Sequence, residues 1–146
     1  MPLSEGITAP NFTAKDDSGN TVTLSDYEGK TVVLYFYPKD DTPGCTKQAC
    51  SFRDSYSDYE GKDIVVLGVS HDDESSHQAF KEKFSLPFPL VVDSDATISQ
   101  AYEVEGGGYS KRVTFVIDEK GVIKKVYESI NTETHATDVL SDLGLS

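Results

Sequence analysis

The chain predicts an α/β protein with a mixed, centrally parallel β-sheet covered by helices on both sides. Three observations predict it. Two continuous β-branched and aromatic runs, Thr31 to Tyr37 and Asp63 to Ser70, each lead into a segment with helical periodicity, as strands joined by crossover helices do. A later pair of runs, Arg112 to Asp118 and Val122 to Tyr127, is separated only by Glu119-Lys120-Gly121 and reads as a hairpin. Parallel units followed by an antiparallel hairpin make the sheet mixed.

Taken in order, Phe12, Ala14, Val22 and Leu24 flank Asp16-Asp17-Ser18-Gly19-Asn20, a turn of residues that tolerate positive φ; this predicts an N-terminal β-hairpin extension to the core. Thr31 to Tyr37, bracketed by Lys30 and Pro38, has no polar alternation, so it reads as a strand buried on both faces. From Thr46 to Glu60 the positions Ala49, Phe52, Tyr56 and Tyr59 form a helical stripe that runs back to Cys45, with Gly61 suited to the C-terminal cap. Asp72, Asp73 and Glu74 favour the start of the next helix, which carries Ala79, Phe80, Lys83 and Phe84. Phe88 to Val92 follows as a short strand, Ala96 to Tyr102 as a short helix and Glu105 to Gly108 as a flexible break. Thr132 to Leu143, closed by Gly144, reads as the last helix.

The 146 residues, 37% hydrophobic and 26% charged, fit one domain spanning residues 1–146. No stretch approaches the roughly 18 consecutive apolar residues that span a bilayer, and Met1-Pro-Leu-Ser-Glu-Gly6 has neither a basic region nor an apolar core. A cytoplasmic protein with no membrane partner is expected. The 25 acidic residues against 13 basic ones give a formal charge of −12, which repels phosphate backbones, so no nucleic-acid partner is expected either. Two cysteines are too few for a secreted disulfide scaffold and point to a reducing compartment and a redox or catalytic use.

Those cysteines, Cys45 and Cys50, fall where the first apolar run gives way to its helix. A thiol at a helix start lies among N–H groups without intrahelical partners and at the positive end of the dipole, which favours the thiolate. A guanidinium would add to this, and Arg112 or Arg53 are the candidates. Thr42 offers a hydroxyl at the same turn, while Pro38 and Pro43 shape the loop and shield the sulfur. Positions five apart on a helix are separated by about 8 to 9 Å between Cα atoms, beyond the roughly 4.4 to 6.8 Å of a disulfide. Either the pair never bonds, or the first helical turn unwinds when it does.

Pro38-x-x-x-Thr42-x-x-Cys45, with Cys50 five positions on and Arg112 opening a Thr-Phe-Val-Ile-Asp strand, resembles the peroxiredoxins, specifically the atypical two-cysteine Q-type or bacterioferritin comigratory protein group. Ala9-Pro-x-Phe12, Leu24-Ser25, Leu67-Gly-Val-Ser70, His77 and Leu86-Pro-Phe-Pro-Leu90 extend the resemblance over most of the chain. It implies a thioredoxin-like fold and cofactor-free reduction of hydrogen peroxide and organic hydroperoxides. Cys45 would be the peroxidatic nucleophile that becomes a sulfenic acid, Cys50 would resolve it as an intramolecular disulfide, and a thioredoxin or similar dithiol would reduce that bond. Thr42, Arg112 and the backbone near Cys45 would hold the peroxide oxygens, beneath a loop shaped by Pro38. A resolving cysteine in the same chain removes the need for a second subunit, so a monomer is expected. Gln48 stands where many relatives carry a carboxylate, and no acid or base role is carried over to it.

Two other functions share parts of this pattern. A thioredoxin-type thiol-disulfide oxidoreductase would place its cysteines as C-x-x-C, whereas here four residues separate them, and Val113 stands where thioredoxins typically have proline. A redox-sensing interaction module would use the oxidised helix as a binding surface. His71, Asp72, Asp73 and His77 can be assembled into a metal site on paper, but the acidic residues are accounted for by a helix start and His77 by a helix surface. No metal or other cofactor is expected. Gly106-Gly107-Gly108 lacks a phosphate-loop context.

Overall fold

The computed structural model describes residues 2–144. A five-stranded sheet has the order β5-β4-β3-β6-β7, formed by β3 (Thr31–Phe36), β4 (Ile64–Ser70), β5 (Leu90–Val92), β6 (Val113–Ile117) and β7 (Ile123–Tyr127). The pairs β3/β4 and β4/β5 are parallel, while β3/β6 and β6/β7 are antiparallel. This is the mixed, centrally parallel sheet that the run pattern predicts. β1 (Thr13–Lys15) and β2 (Thr21–Thr23) form the separate N-terminal hairpin, with Ala14 opposite Val22.

β3 is buried on both faces because its alternate side chains enter two different cores. Val33 and Tyr35 join one with Ala49, Phe52, Phe80 and Val139; Val32, Leu34 and Phe36 join the other with Leu24, Ile98, Tyr102 and Phe115. The helices follow from connection handedness. Chain progress from β3 to β4 to β5 steps twice in one direction, so right-handed crossovers put α1 (Pro43–Asp54), α2 (Tyr56–Glu60) and α3 (Glu74–Phe84) on the same side. α5 (His135–Asp142) joins them there through Ala136, Val139 and Leu140. α4 (Thr97–Ala101) and the N-terminal hairpin cover the other side. Among the described residues no helix is long and apolar enough to cross a membrane.

Four local expectations change. The single helix expected over Thr46 to Glu60 starts earlier, at Pro43, and breaks at Ser55, where φ is −102° and ψ 5°. Serine holds a helix weakly, and the break still leaves Phe52 and Tyr59 in edge contact at 5.6 Å. The last helix begins at His135 instead of Thr132, because the Asn131 side chain and carbonyl accept from Glu133 N and Thr134 N and form a turn in its place. The Glu105 to Gly108 break is a held turn, with Glu105 Oε1 accepting from the N–H groups of Gly107 and Gly108 and Gly106 N donating to Tyr109 O. His77 lies on no surface: it is fully buried.

Candidate active site

Thr42 is the N-cap of α1, in extended geometry, and Pro43 occupies the first helical position, where a missing N–H costs nothing. Cys45 therefore sits within the first turn, among N–H groups that the helix itself does not satisfy. Its neighbours on the stripe, Ala49 and Phe52, anchor it in the core, and Cys45 is 1% exposed. Thr42 Oγ1 donates to Lys39 O at 2.8 Å, which fixes the hydroxyl on the loop that precedes the helix.

Of the two arginines, the sheet selects Arg112. The antiparallel register pairs Phe36 with Val113, so Arg112 lies beside the C-terminal end of β3, where Tyr37 and Pro38 turn toward α1. From there Arg112 Nη2 donates to Cys45 Sγ at 3.2 Å and Nη1 donates to Gln48 Oε1 at 2.6 Å. Gly44 makes the approach possible, since a Cβ there would meet Arg112 Nη2 at 3.0 Å. Arg53 is engaged elsewhere, with Asp54 Oδ1 at 3.0 Å and Phe84 O at 2.9 Å.

Gln48, one turn beyond Cys45 and fully buried, turns its oxygen to the guanidinium and leaves Nε2 without a partner. Its contact to Arg112 was not legible in the sequence; only its helical spacing from Cys45 hinted at a shared face. Tyr35, stacked at 4.9 Å on Phe52, likewise keeps its hydroxyl buried and unpartnered; burial, and then the neighbouring Cys45 and Asp40, push its pKa well above the usual phenol range.

Cys50 lies five positions along the same helix, partly buried, and both thiols are free. Burial pushes the Cys50 thiol up, and Asp54 adds to the effect while Arg53 opposes it. The two sulfurs are thus unlike: Cys45 receives a charged hydrogen-bond donor, and Cys50 is held toward the neutral form. The structure brings Pro38, Thr42, Cys45, Gln48 and Arg112 around one end of the sheet, with Cys50 on the same helix. A cavity of about 240 Å³, lined by Leu24, Val32 and Ile117 among others, lies at the opposite end of β3.

The residues of the metal arrangement part company. Asp73 caps α3, accepting from Ser76 N at 2.8 Å, and His71 faces Glu105 at 3.4 Å. Asp72 and His77 meet Asp40 instead, their ligand atoms within 4.8 Å of one another, but hydrogen bonds among themselves and to Ser70, Ser76 and Val91 already engage those atoms.

His135 supplies a pH dependence. Burial, aided by the Arg112 charge and opposed by Asp138 and Asp142, pushes its pKa down to about 4, while Thr114 Oγ1 meets its Nε2 at 2.9 Å. In the unfolded chain it binds a proton near pH 6.5, so stability is lost as the pH falls from about 6.5 to about 4 and this loss then levels off, reaching about 3 kcal/mol. The difference in urea-unfolding free energy between the parent and His135→Gln should carry this loss between pH 7 and pH 4, whatever His77 and the carboxylates add to both; equal slopes in the two proteins would refute the assignment.

The AhpC/TSA family model matches residues 6–126. The chain is 43% identical over 151 residues to peroxiredoxin Bcp of Bacillus subtilis, covering 98% of this chain and 96% of the relative. It superposes on peroxidoxin BcpB of Mycobacterium tuberculosis with a TM-score of 0.92 at 32% identity, covering 97% of each chain. It also superposes on the bacterioferritin comigratory protein of Xanthomonas campestris, a structure described in terms of that protein's alkyl peroxide reduction activity, with a TM-score of 0.89 at 29% identity over 99% of this chain and 98% of the other.

Proposed function

Because the chain belongs to the AhpC/TSA family, among the Q-type or bacterioferritin comigratory peroxiredoxins, it is a thiol-dependent peroxidase, and we propose that Cys45 is its peroxidatic cysteine and Cys50 its resolving one. The hydrogen bond from Arg112 Nη2 to Cys45 Sγ carries the assignment, because it fixes a guanidinium charge at the sulfur, where the oxygens of a peroxide meet it. The Cys45 thiolate attacks the terminal oxygen of a hydroperoxide. The S–O bond forms, the O–O bond breaks, and water or an alcohol leaves after taking up a proton; sulfur loses the two electrons that the peroxide gains. Arg112 and the N–H groups of the first α1 turn stabilise the charge that passes to the leaving oxygen, and the Thr42 hydroxyl joins them when its proton turns from Lys39 O to the peroxide. Pro38 closes the loop above them.

Cys50 then attacks the Cys45 sulfur, the S–O bond breaks, and hydroxide leaves as water with the proton that Cys50 gives up. A dithiol of the thioredoxin type returns two electrons to the disulfide. Every electron in the cycle comes from sulfur, so the steps use neither metal nor organic cofactor. The same reading takes hydrogen peroxide and organic hydroperoxides as substrates, the cytoplasm as the compartment, a monomer as the working form and residues 1–146 as one domain. A formal charge of −12 sets nucleic acid outside its partners.

The helix imposes a condition on resolution. Cys45 and Cys50 share α1, and an intact helix holds positions five apart beyond disulfide reach, so the first turn must open before the sulfurs meet. Cys50→Ser should therefore reduce one equivalent of hydroperoxide and stop, with a dimedone adduct on Cys45 by mass spectrometry. The parent should yield a Cys45–Cys50 linked peptide with reduced amide protection over residues 43–52. An adduct on Cys50 in Cys45→Ser, with none on Cys45 in Cys50→Ser, would reverse the roles. Unchanged exchange in the linked protein would refute the unwinding.

A further inference from the structure

The loop that delivers Pro38 and Thr42 to Cys45 is tied down by a buried network that the reaction described above does not use. Asp40, in the middle of that loop, is 7% exposed and accepts three side-chain hydrogen bonds: Tyr37 Oη at 2.6 Å on Oδ1, and Ser76 Oγ at 2.8 Å and His77 Nδ1 at 2.7 Å on Oδ2. The other ring nitrogen of His77 faces Val91 O at 2.9 Å. A backbone carbonyl has no proton to give, and a carboxylate is an acceptor, so both ring nitrogens must donate and the ring carries a positive charge opposite a buried carboxylate. The network continues through the backbone. Asp40 N donates to Asp72 Oδ2 at 2.8 Å, and Ser70 Oγ donates to the same oxygen at 2.6 Å. Next in the chain, Asp41 takes the left-handed region at φ 59°, and Lys83 Nζ holds its carboxylate at 2.9 Å.

Two elements thus converge on one loop, α3 through Ser76, His77 and Lys83 and the segment ending β4 through Asp72, while Val91 of β5 engages the other ring nitrogen of His77. We propose that His77 is a positioning residue for peroxide attack, acting through Asp40 to hold the loop of residues 38–42 in the conformation that sets Thr42 and the first turn of α1 around Cys45. The proposal rests on the assignment of Cys45 as the attacking thiolate. Burial alone pulls the pKa of His77 down, but the hydrogen bond and charge of Asp40, the Val91 carbonyl and the charge of Asp72 outweigh it and raise the value, in agreement with a cationic ring. The anchor ends at Asp41, immediately before the turn that must unwind. It therefore fixes the upstream boundary of the opening segment, and loosening it disfavours the folded, attacking conformation without hindering closure of the disulfide.

That asymmetry separates positioning from simple structural support. His77→Phe keeps a ring in the cavity but removes both donors, and Tyr37→Phe removes a single hydroxyl from the same carboxylate. The second variant carries the test if the stranded charge keeps the first from folding. Rapid mixing of the reduced protein with hydrogen peroxide, followed by alkylation and mass spectrometry, times Cys45 oxidation and Cys45–Cys50 closure separately, at a temperature where circular dichroism shows each variant fully folded. Oxidation is expected to slow at least about tenfold in His77→Phe and about threefold in Tyr37→Phe, with closure as fast as in the parent or faster. Oxidation within twofold of the parent in folded Tyr37→Phe and His77→Phe, whatever their melting temperatures, overturns the proposal and leaves Cys45 as nucleophile untouched. A parent whose Cys45 is not oxidised at all overturns both.

Discussion

Cys45→Ser should reduce hydroperoxide consumption to the background of the buffer, a loss of at least about a thousandfold, because a serine hydroxyl at neutral pH offers almost no alkoxide and removing a nucleophile abolishes the covalent step entirely. The substitution is small. Cys45 is 1% exposed and packed in the core with Ala49 and Phe52, so the hydroxyl must find a partner, and the Arg112 guanidinium that now donates to sulfur stands ready to donate to oxygen. The fold should therefore survive, which a melting curve checks. The assay is consumption of hydrogen peroxide and of a bulky organic hydroperoxide with excess dithiol reductant. Cys50→Ser supplies the contrast when the reductant is left out, since the reduced protein should then show a single stoichiometric turnover where Cys45→Ser shows none. Multiple-turnover activity in Cys45→Ser that matches the parent would sink the assignment.

Arg112→Ala should slow Cys45 oxidation by about a hundred- to a thousandfold, the usual consequence of deleting one preorganised donor from a site where charge develops. It acts twice, since Arg112 faces the sulfur at 3.2 Å and also fixes Gln48, the next polar group on the buried face of α1, at 2.6 Å. Loss of the guanidinium leaves Gln48 with both ends unsatisfied, so a stability cost of about 1–3 kcal/mol accompanies the kinetic one. The two effects separate by measuring the oxidation rate well below the melting temperature. Arg112→Lys sharpens the test: an ammonium restores the charge but cannot span Sγ and Oε1 as the fork does, so it should recover only part of the rate. An Arg112→Ala rate within a few-fold of the parent would remove Arg112 from the chemistry and leave it a packing role.

Much of this was legible in the chain because it is encoded locally. The unbroken run from Thr31 to Phe36 reads as a doubly buried strand, and in the structure it feeds two cores from its two faces. The Cys45, Ala49, Phe52 spacing reads as one buried helical face, and it is one. The helix start itself reads too late, at Thr46, because Pro43 reads as a loop residue although a proline suits the first helical position that it occupies. The rest depended on which distant segments meet. Local pattern offered both Arg53 and Arg112 and only the family resemblance favoured Arg112; what carries it to the sulfur is the β3–β6 register, a pairing between strands about 80 residues apart that no local pattern contains. His77 looked like a surface residue because a polar side chain in a helix rarely signals its own burial. Its partners Asp40 and Val91 arrive from other elements of the fold.

The sequence by itself therefore determined the α/β class, the strand and helix units, and a thiol at the start of a buried helix with a second thiol too far along it to bond without unwinding. These follow from periodicity, capping and covalent spacing, which act over a few residues. Only the tertiary structure showed how the Arg112 guanidinium reaches the sulfur, that Gln48 shares it, and that a buried histidine and aspartate pin the loop beside it. Those depend on sheet register and on the packing of α3 against that loop, where the high cost of burying an unpaired charge forces Asp40 and His77 to find each other.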